Sequence, residues 1–133
     1  MNYCKIGEKE YNVLVMAIEE NFTILYGEGT GRSVAPGARM ILNPLGTFFG
    51  HKVTVKRKQG FESEFDKLFN FLAQPRYDGI MVNMVHDQTS IEYEAYVSNG
   101  ARKINHIDIE HNKVYWDAMD INIIPMEAQV VPE

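Results

Sequence analysis

The sequence predicts a mainly β domain, a small β-barrel or β-sandwich with one flanking α-helix over about residues 62–73. Two observations carry that expectation. In FESEFDKLFNFLA, Phe61, Phe65, Leu68, Phe69 and Leu72 recur at the spacing of one helical face. Almost every other apolar run alternates with a period of two, or is short and bounded by Gly, Pro, Asn or Asp. One helix must therefore bury its stripe against a sheet.

The helix has acidic residues in its first turn, where they complement the helix dipole. Gln74-Pro75 stops it, because a residue that precedes proline is pushed out of helical geometry. Its N-cap falls at Gly60 or Ser63. Before it, Tyr3–Ile6 and Tyr11–Ile18 read as a hairpin turning at Gly7-Glu8-Lys9, and Glu19-Glu20-Asn21 as polar punctuation. Phe22–Tyr26 is a further strand. Gly27–Ala38, with four glycines and a proline, is the least structured stretch. Its GEGTG lacks the Gly-Lys-Ser/Thr ending and the following helix that a phosphate loop needs. The remaining readings are a mobile loop between strands, or one that orders against a neighbouring subunit.

Arg39–Leu42 is a short strand closed by Asn43-Pro44. Next, Val53 and Val55 face one way and Lys52, Thr54, Lys56 and Lys58 the other. That cationic row reads as a phosphate ridge or, preferably, as a solvated face or a guard against edge pairing. After the helix, Asp78-Gly79 turns the chain and Ile80–Val85 is apolar on both faces, as in a central strand covered on two sides. Ser90–Val97 places Ile91, Tyr93, Ala95 and Val97 inward, with Glu92, Glu94 and Tyr96 outward. Asn99-Gly100 is the strongest hairpin signal. Lys103–Ile109 and Val114–Ile124 follow as strands, Pro125 closes the second, and MEAQVVPE reads as a tail.

The 133 residues make one domain, 1–133, with 45% apolar and 23% charged residues. A net charge of −5 argues against a dedicated nucleic-acid binder. The single Cys4 makes no intrachain disulfide. No apolar run approaches the roughly 20 residues of a membrane span, and no signal segment opens the chain. His51, His86, His106 and His111 show no zinc spacing, so no metal is expected. Glu92 and Glu94 share one strand face, whereas a glycosidase brings its acids from two elements. Cys4 lies beside Lys5 with no histidine near in sequence, and no Gly-x-Ser-x-Gly elbow occurs. No catalytic residue and no cofactor is expected.

Taken together, RMILNPLGTFFGHKVTVKRK, the helix ending in FLAQP, SIEYEAYVSNG and YWDAMDINIIPMEAQVVP resemble the small tail proteins of phages and prophages of low-GC Gram-positive bacteria. The resemblance is a diffuse pattern over most of the chain rather than a sharp motif. It implies a compact β domain related to tail-tube and tail-hub modules. It implies a structural role by ring-forming self-association or docking to other tail proteins. It also implies a host-cytoplasmic stage during assembly and a place in the virion tail. The Gly27–Arg39 loop is the position most like an inter-subunit arm. The candidate interface residues are Gly29, Gly31, Arg32, Arg39, Glu92 and Glu94. An acidic Glu92/Glu94 stripe would suit a lumen through which DNA slides in passive contact, since a basic lining would hold phosphates. The alternative is a small-ligand-binding β-barrel, with Tyr93, Tyr96, Tyr115 and Trp116 lining its mouth.

Overall fold

The computed structural model describes residues 3–133. In chain order the elements are β1 (Cys4–Ile6), β2 (Val13–Tyr26), β3 (Gly31–Arg32), β4 (Met40–Ile41), β5 (Pro44–Arg57), α1 (Glu62–Ala73), β6 (Ile80–His86), β7 (Thr89–Tyr96), β8 (Gly100–Asp108) and β9 (Lys113–Pro125). The main ladder runs β1-β6-β7-β9-β5-β2, with β8 also on β9. Its β1-β6-β7 part meets the rest where Ala95 and Tyr96 pair with Pro125 and Ile124. The sheet curls into a half-barrel with one flanking helix, as the sequence predicts.

Period-two burial builds the core. Val53 and Val55 of β5 are buried, while Lys52 and Lys56 are exposed. Met119, Ile121 and Ile123 of β9, Val82 and Met84 of β6, and Tyr93 and Ala95 of β7 complete the sheet's inner face. Onto it α1 lays Phe65, Leu68 and Leu72. The helix starts at Phe61, at neither Gly60 nor Ser63. Gly60 takes φ +85°, a left-handed turn that a side chain would strain, and the Glu64 amide then donates to the Phe61 carbonyl at 3.0 Å. Phe61 itself stays exposed, so the buried stripe is one residue shorter than its spacing indicates. Arg102 pins the helix to the sheet. Its guanidinium lies 4.0 Å from the Phe69 ring centre and 3.9 Å from that of Trp116, and it donates to Asp66 at 2.8 Å.

Several local expectations give way to tertiary pairing. β1 and β2 form no hairpin; β1 pairs with β6 and β2 with β5. Glu19-Glu20-Asn21 does not interrupt β2, because Glu19 lies opposite Lys52 and Glu20 opposite His51. β5 is consequently a central strand, so its lysines guard no edge; they lie among Glu19, Asp117 and Asp120. Asn99-Gly100 makes no hairpin either. β7 and β8 run in one direction beside β9, since Tyr96 opposes Ile124 and Gly100 opposes Ile121. The three residues between them are a bulge where the chain passes from one part of the sheet to the other. β6 is buried on one face only, and Met81 on its other face is exposed.

The C-terminal segment is a strap rather than a free tail. Thr47 donates to the Val130 carbonyl at 2.8 Å, and the Gln129 side-chain amide both accepts from and donates to the Phe49 backbone. Gly46 makes room for it: a Cβ there would sit 2.5 Å from the Ala128 Cβ. Gly46→Val is expected to expel the strap, seen as faster amide exchange at Thr47 and Phe49. Native protection at both amides in this variant would show that the strap tolerates the side chain.

Candidate assembly interface

Among the described residues, β2 is hydrogen-bonded on one side only, to β5, and β8 on one side only, to β9. The β2-β5-β9-β8 portion of the sheet therefore presents a free strand at each lateral edge. β2 spans fourteen residues, or about 46 Å at roughly 3.3 Å each. It bears no bulk of charge to discourage pairing along its ends: Leu14, Val15, Met16, Phe22, Ile24, Leu25 and Tyr26 are all exposed. Phe22, at 67% exposure, opposes Phe49 on the inner face, where the strand has run past the buried core. A long, exposed, apolar edge is a template for another strand.

Two hairpins project from opposite ends of this portion. One joins β2 to β5 at the Pro44 end of β5, and the other joins β8 to β9 beyond the Arg57 end. The first is no loose loop. β3 and β4 pair within it, and Asn43 braces its base by donating through its backbone to Thr30 Oγ1 and through its side chain to the Glu28 carbonyl. It exposes Val34, Met40, Ile41 and Leu42. The second exposes Ile104, Ile107, Val114 and, at 87%, Ile109. The first arm carries Arg32 and Arg39 against Glu28; the second carries Asp108 and Glu110 near its turn. Hydrogen bonds from His111 hold the Asp108 carboxyl below the usual carboxylate range.

Gly29, Gly31, Arg32 and Arg39 thus share the first arm, with Arg32 donating to the Ala38 carbonyl. Glu92 and Glu94 lie elsewhere, on the exposed face of β7, where Glu94 accepts from the Gly79 amide at 3.0 Å. The sequence indicates a single arm; the second arm and the β2 edge go unread in it. The proposed barrel-mouth aromatics do not converge. Tyr93 is buried, Tyr96 is exposed, Tyr115 stacks on His106 at 4.5 Å, and Trp116 covers Arg102. An open cleft of about 480 Å³ lies between the end of α1 and the β7–β8 bulge, and of these four aromatics only Tyr96 lines it.

One buried polar group also escapes sequence reasoning. His51 is 1% exposed. Its Nδ1 lies 2.8 Å from Tyr93 Oη, and its Nε2 lies 2.9 Å from the Val85 carbonyl and 3.1 Å from Glu20 Oε2. Since a carbonyl only accepts, Nε2 donates to Val85, while Nδ1 and the Tyr93 hydroxyl share one hydrogen bond. Burial pushes the Tyr93 hydroxyl pKa up and the Cys4 thiol to about 11, so neither is poised to ionise near neutrality. Among the described residues, no group of three His, Cys, Asp or Glu side chains is arranged to hold a metal ion. Nor, among these residues, is any helix long and apolar enough to cross a membrane. No known protein family, curated protein or solved structure matches the chain.

Proposed function

We propose that the protein is a structural component of a phage or prophage-derived tail, acting by self-association or by docking to other tail proteins. The observation that carries this reading is the pair of free strand edges on one sheet, combined with apolar arms at its opposite ends. Edge-to-edge pairing of β2 with the β8 of another copy would extend the sheet laterally and close into a ring if the rotation allows. The arms would then meet end to end, Arg32 and Arg39 facing Asp108 and Glu110, and stack one ring on the next. The resemblance to Gram-positive phage tail proteins supports the same class. In that setting the chain assembles in the host cytoplasm and remains in the virion tail.

The wild-type chain is expected to form assemblies well above its 15.3 kDa subunit mass, visible as rings or short tubes in negative stain. Phe22→Lys with Leu25→Lys, one on each face of β2 and both exposed, should leave the subunit folded and prevent lateral association. Light scattering on both proteins over a range of concentrations reads this directly. A wild-type monomer at every concentration, or assemblies unchanged in the double variant, would overturn the edge reading.

A further inference from the structure

The hydrogen bonds around His51 extend to a second histidine. Glu20 Oε2 lies 3.1 Å from His51 Nε2 and 2.7 Å from His86 Nδ1. One carboxylate oxygen thus links β2, β5 and the end of β6. Among the described residues β2 has no lateral neighbour beyond β5, and Glu20 ties it to the β6–β7 hairpin. The charged groups that face His86 among the described residues are Glu20 and Asp87, whose Oδ2 is 3.7 Å from Nε2. The Phe49 ring packs on the imidazole at 4.9 Å, and His51 shares Glu20 from β5. Two carboxylates and an aromatic face all favour the imidazolium form.

We propose that Glu20, His51 and His86 form a proton-operated clasp. With the His86 imidazole charged it holds the middle of β2 against the β6–β7 hairpin, and it loosens as that imidazole loses its proton. The hydrogen bond to Glu20, foremost, raises the His86 pKa above its ordinary 6.5. A folded-state value above the unfolded one means that the contribution is complete below pH 6.5 and is lost as pH climbs through the folded-state value. His51 is also bonded to Tyr93 and Val85 in the core, so the response is expected in the edge strand. The clasp acts within one subunit and does not require that copies associate. It does set how well ordered the β2 edge is when another strand meets it.

The test uses the full chain kept monomeric at low concentration. The His86 imidazole should titrate by NMR above pH 6.5 in the wild type, and Glu20→Gln should bring it back towards that ordinary value. Amides of Ile18–Tyr26, corrected for intrinsic exchange, should lose protection as the pH climbs through the His86 titration. His86→Gln, which leaves the buried His51 in place, should abolish that dependence. A His86 midpoint at or below 6.5, an unchanged midpoint in Glu20→Gln, or β2 protection that ignores pH would each overturn the clasp.

Discussion

Phe65→Ala is expected to destabilise the domain by about 3–5 kcal/mol, enough to lower its melting temperature by roughly 10–20 °C. Phe65 is the largest fully buried side chain of the helix, at 1% exposure. It sits mid-stripe between the acidic first turn and Leu68, so its loss leaves a void that the neighbours cannot close without moving the helix. The helix has few alternatives. No side chain caps its start, and twelve residues are too short to be helical alone. Its order rests on packing in the buried cluster, with β5 beneath it, and on the Arg102 link to Asp66. Leu68→Ala, at 2% exposure, should cost about 2–5 kcal/mol for the same reason. Thermal and urea unfolding of both variants checks the expectation. Losses below about 0.5 kcal/mol would mean that the helix is peripheral to the core, well under the usual range for a buried large side chain.

The helix and the mainly β class were legible because both are written in short-range periodicity. Helix bounds 62–73 match because an apolar stripe and a proline after Gln74 are local facts. Inward alternation at Val53 and Val55, and at Tyr93 and Ala95, is local as well. Strand partners are not. Nothing near Tyr3–Ile6 reveals that β1 closes on β6, some eighty residues away. Asn99-Gly100 has the composition of a tight turn, but β9 offers β8 a straight continuation of the edge begun by β7, and the ladder outweighs the turn preference. Glu19 and Glu20 look like a strand break until Lys52 and His51 are placed opposite them.

The surface proposed for assembly was half legible. Glycines and arginines flagged the first arm, though as a loop, because the bracing by Asn43 and Thr30 spans the whole insertion. Lys103–Ile109 reads as a strand with Ile107 and Ile109 on one face, and only the projection of β8 and β9 past the end of β5 leaves that face, and Ile104, exposed. Glu92 and Glu94 were correctly placed on an outer face, but their strand is remote from the β2 edge in the ladder. Exposed apolar area of this kind is costly to a subunit that stays alone, which is why it argues for association.

His51→Ala should be the second most damaging change, at about 3–5 kcal/mol, and Tyr93→Phe should cost only about 1–2. The two substitutions break the same 2.8 Å hydrogen bond, so the difference between them measures what else His51 does. Tyr93→Phe removes one hydroxyl and keeps the ring in the core; the Nδ1 left behind is a single unpaired ring nitrogen. His51→Ala removes a fully buried ring and leaves two polar groups stranded, the Tyr93 hydroxyl and the Val85 carbonyl. It also frees Glu20, whose remaining partner is then His86 alone. Desolvated groups without partners cost more than the lost bonds were worth, and the void adds to that. Equal losses in the two variants would mean that the Tyr93–His51 bond is the whole contribution. A His51→Ala loss near that of an exposed substitution would mean that the cluster is relaxed by water. Chemical unfolding of the two single variants and of the double variant gives the coupling between the residues, which should be non-additive for side chains in contact.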